Sequence, residues 1–272
     1  MDNHFRVQFS NRMGFSSKFP TDNFHNWVAQ GQAQQCDIKA AVEMNLTSKG
    51  TRHFRKVSQQ ELDTRSQVFL HHPLDPTKEL KKRKFLKGGS VFWLPSHTNA
   101  RKHSSYSTDK HGRWSAIRLT AATRELVIII AYRVCNSTIT GETTTIAARE
   151  QNSLLKQGHP DALNVRTACL SDLGKFLQDE RKEEREILFM ADGNTPNNHT
   201  EFVEFFKQYD MTDIAPAHAP PSCTHSNPSS PPTEIIFGSR LFEEAITGFG
   251  MYPFYHFNGS DHREFELVFD RE

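Results

Sequence analysis

No stretch of this chain runs apolar for the roughly 18 residues that a membrane-spanning helix needs, and the N-terminus has no signal-peptide pattern. A soluble intracellular protein is expected, compatible with the nucleus and without a membrane partner. Cysteine is scarce: Cys36, Cys135, Cys169 and Cys223 lie far apart with no C-x-x-C pair, which argues against a zinc cage and against a disulfide frame. Net charge is lacking too, at +1, so no whole-molecule field announces a polyanion partner. Apolar residues are only 36% of the 272, but the 21 phenylalanines can supply much of a core. The Pro-rich stretch Ala215 to Pro232 reads as a surface loop, because strand-like sequence resumes directly after it, and residues 1–272 read as a single domain.

The distribution of charge says more than its sum. From Lys78 to Arg113, ten basic residues (Lys78, Lys81, Lys82, Arg83, Lys84, Lys87, Arg101, Lys102, Lys110, Arg113) face two acids, Glu79 and Asp109, leaving +8. Such a cluster is a footprint that a phosphate backbone can use, and a solvated lysine-rich loop is the bland alternative. Trp93, Tyr106 and Trp114 are interspersed, which favours a polyanion that also carries bases.

Periodicity places the elements. Phe5, Val7 and Phe9 alternate as a first strand, Thr21 caps a short helix ending near Gly31, and Ile38 to Val42 alternate as a second strand with Glu43 at its far end. Ser58 and Glu61 form a capping box for a helix reaching about Val68, and Pro73 to Lys87 is a basic loop. Strands follow at Ser90 to Leu94, Ala116 to Leu119 and Leu126 to Tyr132, the last apolar enough to be buried on both faces. Asn136 to Thr145 is loop. Leu170, Leu173, Phe176 and Leu177 keep helical spacing between Arg166 and Arg185, and the charges of that helix are expected to be structural. Ile187 to Ala191 is a strand, Phe202 to Phe206 a short helix, Glu234 to Phe237 a strand, and Phe265, Leu267 and Phe269 alternate in the last one.

Polar residues stand at the ends of five of these strands: Asn11; Glu43; Tyr132; Asp192 with Asn194; and Asp261 with His262. A side chain at the end of a buried strand is held firmly, as a group that meets a metal or a phosphate must be. Gly193, between Asp192 and Asn194, suits a turn with unusual dihedrals, although Asp, Gly and Asn are also ordinary turn residues.

The order and local spelling of these ends resemble the endonuclease/exonuclease/phosphatase superfamily over nearly the whole chain. Asn11 with Gly14 is similar to its first-strand Asn before Gly, and Asp37 through Glu43 to its strand ending in a metal-binding Glu. Gly112-Arg113, Tyr132, Ala191-Asp192-Gly193-Asn194, Asp213 with Thr224, and Ser260-Asp261-His262 match its later motifs. Three departures stand out: Met13 replaces a second acid near the first strand, Glu234 stands where an Asp orients the histidine, and Ala191 replaces a Gly.

The resemblance implies an α/β fold of two packed mixed β-sheets flanked by helices, a four-layer sandwich of the DNase-like type. It implies a Mg²⁺-dependent phosphodiester hydrolase, with Mn²⁺ as the alternative ion, in which Glu43 and Asp261 hold metal. Asp192 positions or deprotonates the attacking water, Asn11, Asn194, Tyr132 and His262 bind the phosphate, and Glu234 holds His262; Asp261 serves the metal or the histidine. Arg113 and Arg133 are substrate contacts, and Tyr132-Arg133 is similar to a pair in retrotransposon endonucleases. The expected function is a monomeric DNA endonuclease nicking one strand, from a lineage once fused to a reverse transcriptase, the chain being a fragment or a stand-alone relic. A phosphatase of phosphoinositides or nucleotides, and a decayed nucleic-acid-binding domain, are the other two readings.

Overall fold

The computed structural model describes residues 3–12, 20–46, 54, 56, 65–71, 88–98, 104–120, 124–135, 146–195, 200–215, 233–252 and 262–271. The strands are β1 (His4–Asn11), β2 (Ile38–Val42), β3 (Gln67–His71), β4 (Ser90–Leu94), β5 (Ser104–Thr108), β6 (Trp114–Thr120), β7 (Glu125–Tyr132), β8 (Glu186–Asp192), β9 (Met211–Asp213), β10 (Glu234–Ser239), β11 (Ile246–Met251) and β12 (Phe265–Asp270). The helices are α1 (Pro20–Ala33), α2 (Ile146–Lys156), α3 (Val165–Lys182), α4 (Thr200–Lys207) and α5 (Arg240–Ala245).

The strands pair into two six-stranded sheets, β11-β12-β1-β2-β4-β3 and β5-β6-β7-β8-β10-β9. At the centre of each lies one parallel pair, β1 with β2 and β7 with β8, and every neighbour outward is antiparallel. A parallel pair needs a crossover, and α1 supplies the first and α2 with α3 the second. Both crossovers leave the C-terminal ends of the central strands at one end of their sheet.

Period-2 alternation then sorts the side chains. Val7, Phe9, Ile38, Ala40, Val42 and Phe92 of one sheet meet Ile128, Ile130, Leu188, Met190 and Ile236 of the other in a shared core. The opposite face of the second sheet, through Val127, Ile129, Ile187 and Phe189, packs on Leu173 and Leu177 of α3 and on Phe202 and Phe206 of α4. The opposite face of the first buries Trp93 and Ala41 with Trp27 and Val28 of α1. Helix, sheet, sheet and helices make the four layers. Beneath α1, Lys39 and Glu264 form a wholly buried ion pair at 2.6 Å, with Gln8 Oε1 accepting a second hydrogen bond from Lys39 at 2.9 Å.

All eight strands expected from the pattern fall within observed strands, and the helices at Thr21, Arg166 and Phe202 fall within α1, α3 and α4. α1 begins at Pro20, so Thr21 lies inside the helix rather than capping it. Residues 67–71 are strand β3, where Val68 pairs with Trp93 and Leu70 with Val91, so no helix reaches Val68; the capping box itself lies outside the described residues. The loops expected at 73–87, 136–145 and 216–232 also lie outside them. Of the aromatics expected to meet bases, Trp93 and Trp114 are core, at 0% and 6% exposure, and Tyr106 lies against Phe69 and Phe92. None of the three is placed to stack on a ligand, because the alternation of β4, β5 and β6 turns them into the protein.

Candidate active site

The inward row of the second sheet ends in polar side chains. The register pairs Tyr132 with Asp192 and Asp192 with Glu234, on strands spaced about 5 Å apart. The alternation that sends Leu188, Met190 and Ile236 into the core sends Asp192 and Glu234 the same way, and on the facing sheet Asn11 continues Val7 and Phe9. An amide links the two sheets here: Asn11 Nδ2 donates to Asp192 Oδ2 at 2.7 Å and to Glu43 Oε2 at 2.8 Å.

Asp192 is 1% exposed and receives a second donor, the Asn194 N–H, on Oδ1 at 3.0 Å. Burial pushes its carboxyl up to about 7; Glu234 adds to the rise, while His262, Asn194 and Asn11 pull against it. A carboxyl poised near neutrality is matched to general-base work. His262 Nδ1 lies 2.5 Å from Glu234 Oε1, and its Nε2 faces Asp192 Oδ2 at 3.9 Å. A hydrogen bond donated from Nδ1 to the Glu234 carboxylate orients the imidazole and turns Nε2 toward Asp192. The longer carboxylate arm at 234 therefore still reaches the ring. Burial, then the charges of Glu43 and Asp192, drives the Tyr132 phenol far above its ordinary value, so it stays a neutral donor.

The turn after β8 is not built as its composition suggests. The left-handed residue is Asn194, φ 48°, whereas Gly193 is needed for space, since a Cβ there would stand 3.3 Å from the Phe202 ring and from the Thr233 carbonyl oxygen. Asn194 Nδ2 donates to the Arg133 carbonyl at 2.7 Å, and Cys135 Sγ donates to Asn194 Oδ1 at 2.9 Å. Glu43, just past β2, is also left-handed at φ 52°, a conformation that a non-glycine residue adopts at a cost.

Asn11, Glu43, Tyr132, Asp192, Asn194, Glu234 and His262 thus come together at one end of the seam. Asp261, Met13, Gly14 and Thr224 lie outside the described residues. Arg113 is buried, with Asp109 and Asp172 as its partners at 2.9 and 2.7 Å and the Trp114 ring beneath it. Its guanidinium ties β6 to α3. Arg133 is likewise buried and bidentate on Glu201 of α4, both bonds at 2.9 Å, over the Phe202 ring. Asp37 lies at the opposite end of the sheet, accepting from the Arg6 N–H and from Arg271. Asp213 pairs with Phe237, three positions along β10 from Glu234, and accepts from the Ala215 N–H. Cys135, Glu201 and Arg166 are not legible in the sequence as neighbours of the turn, because each reaches it from a separate segment.

Among the described residues no group of three or more His, Cys, Asp or Glu stands close enough to cage an ion. What the seam offers is the Glu43 carboxylate, the Asn11 amide and, across it, Asp192. This hard, sparse donor set fits Mg²⁺, which keeps most of its waters and takes one or two carboxylates, and does not fit zinc.

Neither a family model nor a curated protein matches the chain. Solved structures do. An AP endonuclease, LMAP, from Leishmania major superimposes with a TM-score of 0.70 at 12% identity, over 99% of this chain and 89% of that one. A 3′ phosphatase, NExo, from Neisseria, bound to a product DNA hairpin, gives 0.64 at 12% over 98% and 99%. The endonuclease domain of TRAS1, a telomere-specific non-LTR retrotransposon, gives 0.59 at 11% over 99% and 100%. With two packed mixed sheets and their helices shared along nearly the full length of all three, the chain carries the DNase-I-like two-sheet fold of these proteins.

Proposed function

We propose that the chain is a metal-dependent phosphodiester hydrolase, a DNA endonuclease that nicks one strand. The observation that carries this reading is Asp192: a buried carboxyl titrating near neutrality, held by Asn11 and Asn194 and faced by a histidine that Glu234 keeps oriented. Asp192 takes the proton of the attacking water as the water adds to phosphorus. The neutral Tyr132 donates toward the phosphoryl oxygens, Asn11 keeps its two amide hydrogens on Asp192 and Glu43 and so positions both carboxylates, and His262, when it carries a proton on Nε2 as well, donates where charge develops as the P–O bond breaks. Glu43 with Asn11 would hold Mg²⁺, which when bound neutralises phosphate charge.

DNA as substrate, and the single-strand nick known from retrotransposon target sites, draw support from the neighbours' chemistry and from the basic run that ends directly before Gly88. Gly88, which directly follows Lys87, is fastened to Asn45, with its N–H on Asn45 Oδ1 at 2.6 Å and its carbonyl accepting the Asn45 N–H at 2.9 Å. Gly88, the first described residue after that stretch, thus lies beside Asn45, two residues from Glu43. The test is nicking of supercoiled plasmid with Mg²⁺, with Mn²⁺ and with EDTA. Asp192→Asn and His262→Ala abolish nicking without unfolding the chain, and undiminished nicking by both rejects the assignment. Inositol phosphate run alongside separates the phosphatase reading, and binding without any cleavage would favour the decayed domain.

A further inference from the structure

Arg166 is the second residue of α3, and it bridges the exits of the two central strands of its sheet. Nη1 donates to the Val134 carbonyl at 2.5 Å and Nη2 to Thr195 Oγ1. Val134 lies two residues past Tyr132, and Thr195 directly follows Asn194, so the guanidinium sits against the rim of the candidate site, half-buried.

Its charge balance sets it apart. Arg113 has Asp109 and Asp172, Arg118 has Glu180, Arg185 has Glu125 and Glu180, and Arg133 has Glu201. Among the described residues Arg166 bonds a carbonyl and a hydroxyl but no carboxylate. Burial, and then repulsion from Arg133, holds its pKa below the ordinary arginine range, with Glu201 returning part of the difference. A half-buried cation without a counter-ion is a liability that an arriving anion relieves, and a guanidinium fork suits phosphate oxygens in particular.

The geometry points to Arg166 as a phosphate-binding residue that takes the phosphodiester next to the scissile one on the cut strand. This rests on the phosphodiesterase reading above. Arg133, the arginine that the Tyr-Arg spelling singles out, is already clamped by Glu201, and it supports the turn through its carbonyl contact with Asn194.

The test is binding of a fluorescent DNA duplex by the full chain in EDTA, so that no cutting intervenes, as a function of salt. Arg166→Gln lowers the slope of log affinity against log salt by about one. Arg166→Lys keeps the charge and the slope, with weaker binding because the fork is gone. Arg240→Gln, at an exposed α5 arginine paired with Glu244, leaves slope and affinity unchanged. An unchanged slope in Arg166→Gln overturns the assignment. So does a slope lost equally in Arg166→Lys, or an Arg166→Gln chain that fails to fold, since either marks the bridge as structural. A wild-type chain that neither binds nor cuts DNA overturns the phosphodiesterase reading itself, whereas cutting with an Arg166-independent slope sinks this inference alone.

Discussion

Removing the charge of Asp192 should stabilise the metal-free protein while destroying its activity, and the pH profile carries the proof. The carboxyl titrates near 7 when folded against an ordinary 3.8, because burial disfavours the anion. At 1.36 kcal/mol per pH unit, that gap is worth about 4 kcal/mol. The sign runs against the usual acid: a raised carboxyl pKa means the folded chain binds the proton more tightly, so the penalty is full above about pH 7 and fades as pH falls toward about 4. Asp192→Asn escapes it. The variant pays a different, pH-independent penalty, because its amide turns an NH₂ toward either Asn11 Nδ2 or the Asn194 N–H, where the carboxylate accepted from both. One lost buried acceptor costs about 1–3 kcal/mol.

The stability difference between variant and wild type, read from urea unfolding in EDTA, should therefore rise by about 4 kcal/mol between about pH 4 and about pH 8. It starts against the variant and ends in its favour. Parallel stability curves would show that Asp192 is not a buried base, and the mechanistic role drawn for it would fall with them.

Three further outcomes follow from the geometry. Glu234→Ala removes the carboxylate that fixes the His262 ring, and plasmid nicking should fall about 10²- to 10⁴-fold with little change in oligonucleotide affinity; equal rates would show the contact to be incidental. Lys39→Met leaves Glu264 charged and buried, and should cost about 3–5 kcal/mol in urea unfolding, most of it restored when Glu264→Leu is added; a single variant as stable as wild type refutes the argument. Trp93→Phe should lower the thermal midpoint without altering DNA affinity, since the ring lies wholly in the core beside Trp27 and Val28, and an affinity loss at unchanged stability would restore it as a base contact.

The strands the sequence did not reveal share one property. β5, β9 and β11 are sheet edges, and β3, mistaken for the end of a helix, is the fourth edge. An edge strand buries one side poorly and so has little need of apolar alternation: β5 reads SSYST, with two of its five residues exposed, and β11 reads ITGFGM. The eight inner strands carry alternating or continuous apolar side chains because both neighbours and a facing layer demand it. The site was legible for the same reason. Asn11 and Asp192 are polar residues at which an inner strand's alternation breaks off, and such a break is visible in one dimension, whereas Glu234 came through the family resemblance. What stayed hidden is whatever depends on pairing between segments: the approach of Asn11 to Asp192 across 181 positions, the closure of Arg133 on Glu201, and the arrival of Arg166 beside Thr195.

The same logic accounts for where strain is stored. Glu43 and Asn194 both follow central strands and are both left-handed, at φ 52° and 48°. Asn tolerates that region cheaply, and its N–H closes on Asp192 in return. Glu has no such excuse, and a left-handed backbone there costs about 1–2 kcal/mol. The turn is held by Met44 and Asn45, whose N–H groups bond to the Gly89 and Gly88 carbonyls at 3.3 and 2.9 Å, and by Met44 and Leu46 buried beneath α1. A strained carboxylate on one side of the seam and an unfavourably buried one on the other are then joined by a single amide, Asn11, at the closing end of the core strand β1. Neither is a local optimum, and the two-sheet core with its outer helices is what makes their proximity affordable.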